Sequence, residues 1–271
     1  MRQAMEWLEE QDSVDDVICF LDFDGTLAPI VDRPGEARAL EGVTELVEAL
    51  AEVIPVAVIS GRGLDDVSER LGARGITYAG SHGLELQSAD GERELLVDDS
   101  VLKVIDEVEM ALKRRFGATE GVELERKKAS IAVHYRRAPE GSDEVIQVVQ
   151  KLAREFSNGP WELGVHEGKM VREIQPQVDR DKGTALTAIW EAIDADRERR
   201  PIYIGDDRTD EDAFEVVGDR GVAILVAWEE RPSHAPWRLD DPEAVRRWLG
   251  ELARRLGIAP QAWSGHDGES E

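Results

Sequence analysis

The sequence of 271 residues contains one cysteine and no long apolar run. A single thiol cannot build a disulfide framework, so Cys19, which lies in an apolar stretch, is predicted to be a core residue of a protein from a reducing compartment. No segment approaches the roughly 18 apolar residues that a membrane span needs, and residues 1–16 are acidic and have no apolar signal core. We therefore expect a cytoplasmic protein without a membrane partner.

Basic residues are also few: 33 lysines and arginines stand against 58 acidic residues, and only seven of the 33 are lysines. The net charge of -25 argues against nucleic acid as a partner, because nucleic acids bind basic surfaces. An acid-rich, lysine-poor surface is typical of adaptation to high salt, where charges are screened within about 3 Å at 1 M. Ordinary acidic solubility is the alternative.

Apolar strands alternate with amphipathic helices over most of the chain. Strands are predicted at 17–21, 54–59, 76–79, 202–204 and 222–226, and helices at 36–52, 64–71, 184–193 and 244–256. This alternation predicts a Rossmann-like α/β core, in which helices cover a parallel sheet. The core is expected to comprise residues 13–83 and 177–258, followed by a flexible tail at 259–271.

The pattern changes between residues 84 and 176. Strands are predicted there at 84–86, 94–97, 122–125, 130–135, 161–166 and 170–174, with helices at 101–116 and 143–156. Hairpin-like strands beside separate helices indicate an inserted α+β domain of roughly 90 residues.

The first predicted strand ends in Asp22-Phe23-Asp24-Gly25-Thr26. Because side chains alternate along a strand, we expect the carboxylates of Asp22 and Asp24 to project to the same side. Two anions this close need a cation, and open parallel sheets bind ligands at the carboxyl ends of their strands. The alternative is a pair of aspartates that caps the following turn.

Three further polar features stand at strand ends or in loops: Ser60-Gly61-Arg62, Lys182 and Gly205-Asp206-Asp207. Each also has an ordinary explanation. Ser60 before glycine is common turn chemistry, Lys182 could be a surface lysine, and the two aspartates could form a helix N-cap.

In this order, the four features resemble the haloacid-dehalogenase (HAD) superfamily of phosphohydrolases, which carries a cap between its second and third motifs. Within that superfamily, the sequence is most similar to the trehalose-6-phosphate phosphatase family. The resemblance is carried by residues 21–29, 59–62, 80–83, 125–127, 134–136, 168–169, 173–174, 205–207 and 209–211, and it spans the chain from Phe20 to about Leu256.

By this resemblance, Asp22 is the nucleophile that becomes an aspartyl-phosphate, and Asp24 is the general acid and base. Ser60 donates to the phosphate, and Lys182 neutralises a phosphoryl oxygen and holds Asp22. Mg²⁺, which prefers oxygen ligands, is bound by Asp22, the Asp24 carbonyl and Asp206. The residues expected around this metal site are Asp207, Asp210 and Thr26.

The resemblance also implies that the inserted domain selects the substrate. The residues assigned to the sugar hydroxyls are Glu125, Lys127, His134, Arg136, Lys169 and Glu173. Arg62 and His82 are expected to contact the sugar or the phosphate. A solvated sheet face with cross-strand ion pairs is the alternative for the residues of the insert.

The expected activity is therefore Mg²⁺-dependent release of phosphate from trehalose 6-phosphate, in functional association with a trehalose-6-phosphate synthase. Another sugar phosphate, such as glucosyl- or mannosyl-phosphoglycerate or sucrose phosphate, would require the same core residues. Phosphomannomutase is less compatible, because nothing in the sequence identifies a site for a retained bisphosphate. A regulatory, sugar-phosphate-binding partner of a synthase is the alternative outside the enzymes.

Overall fold

The computed structural model describes residues 1–31, 33–97, 99–157, 162–168, 170–177 and 181–260. It divides into two compact units: the first comprises Met1–Glu94 with Arg180–Glu271, and the second comprises Leu95–Asp179. Residues 261–271 of the predicted tail lie outside the described residues.

The helices are α1 (Ala4–Glu10), α2 (Val43–Ala51), α3 (Leu64–Leu71), α4 (Asp99–Phe116), α5 (Ser142–Phe156), α6 (Lys182–Ile193), α7 (Glu211–Val217) and α8 (Pro242–Arg255). The strands are β1 (Arg2–Gln3), β2 (Val17–Leu21), β3 (Val56–Ile59), β4 (Thr77–Gly80), β5 (Glu85–Gln87), β6 (Arg93–Leu95), β7 (Glu123–Arg126), β8 (Ile131–His134), β9 (Leu163–Gly168), β10 (Val171–Pro176), β11 (Arg200–Gly205), β12 (Val222–Val226) and β13 (Trp237–Leu239). Among the described residues, no helix combines the length and apolar character that a bilayer crossing requires.

Nine strands form one sheet in the order β1-β13-β12-β11-β2-β3-β4-β5-β6. All neighbours from β1 to β4 are parallel, and β5 returns antiparallel to β4. The register sets Leu21 opposite both Ile204 and Val58. The predicted Rossmann-like core is thus confirmed, and the residues that follow β2, β3 and β11 emerge at the same edge of the sheet.

Each face of this sheet carries its own hydrophobic core, because β2 is buried along its whole length. Cys19 and Leu21 belong to the core that includes α1, α2, α3 and α8, whereas Ile18 and Phe20 belong to the core that includes α6 and α7. A parallel strand buried on both faces needs apolar side chains at every position. Cys19 is fully buried, as predicted.

The hairpin of β5 and β6, predicted to open the inserted domain at residue 84, extends the core sheet instead. The short turn Ser81–Gly83 leads from β4 directly back along its edge, so that Gly80 lies opposite Glu85. Pairing with β5 satisfies the backbone groups on the edge of β4. The second unit consequently begins at Leu95.

Two further differences concern short or glycine-interrupted segments. The helix predicted over 36–52 begins only at Val43, because Gly42 has a left-handed φ of 79° and breaks the helical path. The parallel pair β1 and β13 is absent from the sequence prediction, since strands of two and three residues show no alternation. This pairing adds residues 1–12 to the core unit.

The second unit is an antiparallel sheet in the order β7-β8-β10-β9, with α4 and α5 on one face. Ile131, Val133 and Ile174 are fully buried on the helix-covered face, and α4 and α5 bury their apolar stripes. The opposite face carries polar side chains. This is the α+β architecture that the sequence predicts for the insert.

Candidate active site

Asp22 follows β2, and its side chain is buried. Its N–H continues the strand ladder by donating to the Ile204 carbonyl at 2.9 Å, and its Oδ1 accepts from Lys182 Nζ at 2.6 Å. Burial alone would lower the pKa of Lys182, but the carboxylates of Asp210 and Asp22 outweigh burial and raise it. Lys182 is therefore a buried ammonium ion on Asp22 and not a surface lysine.

Three carboxylates meet beside this ammonium, since oxygens of Asp22, Asp206 and Asp210 all lie within 4.8 Å of one another. Within the described parts of the chain, no hydrogen bond or ion pair reaches the Asp206 carboxylate. Burial, followed by the charge of Asp210, raises the pKa of Asp206 to about 7, and burial raises the pKa of Asp22 well above its usual range. One ammonium does not balance three carboxylates, so the cluster favours a further, oxygen-seeking cation.

Of the three carboxylates, Asp210 accepts the most hydrogen bonds from the described residues. Its Oδ1 accepts from Lys182 Nζ at 2.7 Å and from the Tyr203 hydroxyl at 2.6 Å, while its Oδ2 accepts from the Asp207 N–H at 2.9 Å. The exposed Asp207 side chain accepts from the Arg208 N–H at 2.6 Å and caps a short 3-10 turn. Asp207 is therefore the N-cap residue that the sequence offered as an alternative. Asp206 instead belongs to the cluster of three carboxylates.

Gly25 brings the loop after β2 against Asp206. Its φ is +78°, and a Cβ at this position would lie 2.0 Å from Asp206 Oδ2, so only glycine fits. Thr26 is buried, and its Oγ1 has no hydrogen-bond partner among the described residues. Because buried hydroxyls are normally paired, this one is available to a bound ion, water or phosphate.

Asp24 has a different counter-ion. Arg62 Nε donates to Asp24 Oδ2 at 2.5 Å and Arg62 Nη2 to Asp24 Oδ1 at 2.7 Å, while Arg62 Nη1 donates to Asp66 Oδ2 at 2.7 Å. Sequence reasoning assigns Arg62 to the substrate, whereas the structure places its guanidinium on the predicted acid and base. Asp24 and Arg62 are 38 positions apart, so no local pattern in the sequence could have indicated this pair.

Ser60, predicted to bind phosphate, is buried after β3 beside the turn that carries His82. Its Oγ accepts from the Arg62 N–H at 3.2 Å, and its carbonyl accepts from the His82 N–H at 3.0 Å.

Ser81 and His82 have left-handed φ values of 51° and 55°, which are costly for residues other than glycine. Buried Glu85 holds this turn by accepting from Ser81 Oγ at 2.9 Å. Sequence reasoning missed Glu85, because an acidic residue at the start of a hairpin strand resembles an exposed one.

The second unit brings four predicted sugar-binding residues onto one face of its sheet. Glu125, Ala132 and Glu173 lie opposite one another across β7, β8 and β10. Lys127 Nζ donates to Glu173 at 2.8 Å, and His134 Nε2 lies 2.7 Å from Glu125 Oε2. These residues form two polar pairs on the same face of the sheet.

The remaining predictions for this unit have different outcomes. Arg136 is exposed just beyond β8, and Lys169 lies outside the described residues. Buried Ser130 donates its hydroxyl to Glu173, and His166 lies opposite Glu173 on β9. Sequence reasoning missed both, although the period of two along β9 could have placed His166 on this face.

The sheet topology, the residues at its carboxyl edge and the inserted unit define the class of HAD-like α/β proteins. A haloacid dehalogenase-like hydrolase from Bacteroides thetaiotaomicron has a TM-score of 0.61 at 16% identity, with 86% of this chain and 99% of that chain covered. This likeness shows the fold. A solved trehalose-6-phosphate phosphatase related protein has a TM-score of 0.76 at 26% identity, with 89% and 98% covered.

A family model described as trehalose-phosphatase matches residues 20–243, and the chain belongs to that family. A trehalose-phosphate phosphatase of Mycobacterium ulcerans is 40% identical over 243 residues, covering 88% of this chain and 61% of that protein. The protein of the same name from Mycobacterium tuberculosis H37Rv is 39% identical over 248 residues, covering 89% and 62%. The chain thus spans about three fifths of the length of these relatives.

Proposed function

We propose that this chain hydrolyses trehalose 6-phosphate to trehalose and inorganic phosphate with the help of Mg²⁺. The observation that carries the proposal is the buried Asp22 carboxylate on the Lys182 ammonium, within an acidic cluster at the carboxyl edge of a parallel sheet. Phosphate monoesters resist attack because their oxygens are already anionic, so catalysis depends on positioning and neutralisation. Relatives named trehalose-phosphate phosphatase support the choice of substrate.

In the first step, the Asp22 carboxylate attacks phosphorus, the bond from phosphorus to the sugar oxygen breaks, and an aspartyl-phosphate forms. Asp24 gives its proton to the departing oxygen. Lys182 neutralises a phosphoryl oxygen and opposes the effect of burial on Asp22. The Ser60 hydroxyl donates to the phosphate. In the second step, Asp24 removes a proton from water, whose oxygen attacks phosphorus, frees Asp22 and releases phosphate.

Asp22, Asp206 and the Asp24 carbonyl would hold Mg²⁺, with Asp207, Asp210 and Thr26 around them. Carboxylate and carbonyl oxygens suit this hard cation, and a few of them suffice because Mg²⁺ retains waters. The partly buried Asp206 carboxylate, whose pKa is raised, is the ligand that the geometry supports most directly. Bound Mg²⁺ would neutralise charge on the transferred phosphoryl group.

Sugar recognition is assigned to the polar face of the second unit. A disaccharide is neutral, and each of its hydroxyls both donates and accepts, so neighbouring ammonium and carboxylate groups suit it. The pairs Lys127–Glu173 and His134–Glu125 supply both kinds of group. The full set assigned to the sugar is Glu125, Lys127, His134, Arg136, Lys169 and Glu173. His82 of the first unit keeps its assignment to the sugar or the phosphate.

Two alternatives lead to different measurements. A phosphatase for another sugar phosphate would keep Asp22 and Asp24 and differ in the second unit. A regulatory partner of a synthase would bind the sugar phosphate without turnover. The C-terminal domain of a Candida albicans trehalose synthase regulatory protein has a TM-score of 0.62 at 13% identity. This likeness shows the fold alone. A binding module needs no nucleophile, so the assembled Asp22, Lys182 and Asp206 favour catalysis. We further propose a cytoplasmic enzyme that acts alongside a trehalose-6-phosphate synthase.

The test is phosphate release from a panel of sugar phosphates, with and without Mg²⁺, by the wild-type chain and by Asp22→Asn. We expect trehalose 6-phosphate to be the preferred substrate, with turnover that needs both Mg²⁺ and Asp22. Preference for another sugar phosphate would retain the chemistry and overturn the substrate. No turnover on any member of the panel would overturn the proposed activity and favour the regulatory alternative.

A further inference from the structure

We propose that Arg62 is a positioning residue for Asp24, fixed in place by Asp66 and Arg70, and that it is not a substrate ligand. The four side chains form one row of ion pairs, in which Arg62 joins Asp24 to Asp66, and Arg70 binds the far side of Asp66. This inference rests on the proposed function, because it concerns the proton transfers assigned to Asp24.

The contact between Arg62 and Asp24 fixes the plane of the carboxyl group. Two nitrogens of the guanidinium meet the two carboxyl oxygens at 2.5 and 2.7 Å, a bidentate arrangement that is both strong and directional. A carboxylate has about four lone-pair sites, and the fork occupies one on each oxygen. A lone-pair site is thereby left on each oxygen, and either site can carry the proton that Asp24 gives to the sugar oxygen or takes from water.

Arg62 is itself held from the side away from Asp24. Its Nη1 donates to Asp66 Oδ2, and Asp66 Oδ1 accepts from Arg70 Nε, both at 2.7 Å. Arg70 Nη1 then donates to the carbonyls of Gly35 at 3.0 Å and Ala37 at 2.8 Å. Asp66 and Arg70 are four residues apart and lie on one side of α3, while Arg62 lies two residues before that helix begins.

The surroundings of Arg62 also argue against a role as a substrate ligand. Its side chain is 12% exposed, and Nε, Nη1 and Nη2 each donate to a protein carboxylate. Its carbonyl accepts from the Ser81 N–H at 2.6 Å, and its guanidinium carbon lies 5.7 Å from the centre of the Phe23 ring. Both the backbone carbonyl and the guanidinium of Arg62 are thus held by protein groups, so this side chain is placed to orient Asp24.

A positioning role makes a prediction that substrate binding does not. Misplacing Asp24 slows the departure of a sugar alkoxide, which needs a proton, but it hardly slows the departure of p-nitrophenolate, which leaves without one. Loss of Arg62 or Asp66 should therefore lower kcat on a sugar phosphate. It should not change KM, and it should spare the first turnover of p-nitrophenyl phosphate.

The experiment compares Asp66→Asn, Arg62→Lys and Arg62→Ala with wild type, using Mg²⁺-loaded full-length chain. Asp65→Asn is the matched control, since Asp65 is the preceding residue of α3 and is 81% exposed. Two readouts are steady-state kcat and KM on trehalose 6-phosphate. A third is the burst of p-nitrophenol in the first turnover of p-nitrophenyl phosphate.

We expect kcat on trehalose 6-phosphate to fall about tenfold in Asp66→Asn and on the order of a hundredfold in Arg62→Ala, with KM within about twofold. Arg62→Lys should resemble Arg62→Ala, because an ammonium cannot form the fork. Added guanidinium ion at millimolar concentration should partly restore Arg62→Ala, which a merely misfolded variant would not show. Asp65→Asn should match wild type.

A raised KM with unchanged kcat in the Arg62 variants would identify a substrate ligand and overturn the inference. Equal losses in the p-nitrophenol burst and in sugar phosphate turnover would indicate a merely structural role for Arg62. That result would also overturn the inference. Failure of the proposed function has a different signature: wild type itself would then release no phosphate from any sugar phosphate, and both proposals would fall together.

Discussion

The two units arrange their charged residues in different ways. In the first, Asp22, Lys182 and Asp210 are almost completely buried on or beside the ends of parallel strands, where two of three clustered carboxylates contact one ammonium. In the second, Glu125 and His134 remain 43% and 25% exposed and pair across neighbouring antiparallel strands. Removing Lys182 leaves two buried carboxylates without their counter-ion, whereas removing His134 leaves Glu125, which is partly exposed to water. The first arrangement suits fixed chemistry, and the second suits selection among substrates.

The largest expected effect follows from replacing the nucleophile. Asp22→Asn keeps the size of the side chain and removes the charge that would attack phosphorus, so turnover of trehalose 6-phosphate should fall by roughly 10³-fold or more. Phosphate release measures the loss, and thermal unfolding checks the fold. Residual turnover above about a hundredth of the wild-type rate, from a pure and folded variant, would exclude Asp22 as the nucleophile.

Lys182→Met tests the coupling between charge and stability in the buried cluster. Without the ammonium, Asp22 and Asp210 lose the partner that they contact at 2.6 and 2.7 Å. Breaking a buried ion pair costs about 3–5 kcal/mol, which should lower Tm by roughly 5–15 °C in addition to abolishing most turnover. Lys151→Met is the matched control, because Lys151 is 70% exposed and its ion pair with Glu155 contributes little. Equal Tm values for the two variants would show that the cluster tolerates the loss.

Glu173→Gln tests the other side of the comparison. Glu173 accepts from Lys127 and Ser130, and the amide would weaken both contacts and the proposed contact to the sugar. We expect KM for trehalose 6-phosphate to rise about 10- to 100-fold, since losing a hydrogen bond to a charged group costs about 1.5–3 kcal/mol. Turnover of p-nitrophenyl phosphate, which has no sugar, should not change. Glu167→Gln provides the control, because Glu167 lies on the opposite face of the same sheet, 3.6 Å from Arg172. Equal effects of the two variants would contradict the assignment of the polar face.

The strands that position Asp22, Ser60 and Asp206 could be predicted from sequence, because strands buried on both faces appear as continuous apolar runs. The contact of Lys182 with Asp22 entered only through the family resemblance, since no local pattern joins residues 160 positions apart. The pair of Arg62 with Asp24 was missed for the same reason. Glu85 and Ser130 were not predicted, because their burial depends on tertiary packing, which the alternation of side chains along a strand does not reveal.

The smallest expected effect concerns pH and metal. The pKa of Asp206 is about 7 in the folded protein and near 3.8 in an unfolded chain, because burial and Asp210 disfavour its charge. Between these values the native state binds the extra proton, so the metal-free protein should lose stability as pH rises from about 4 to 7.

Mg²⁺ binds the ionised cluster and should restore this stability, with a rise in Tm about 2–4 °C larger at pH 8 than at pH 6. Thermal unfolding in chelator and in excess Mg²⁺ measures both effects, and Asp206→Asn should weaken them without abolishing them, because the pKa of Asp22 is also raised. Equal shifts at the two pH values would show that Asp206 is not the titrating ligand and that the buried cluster keeps its charge without the metal.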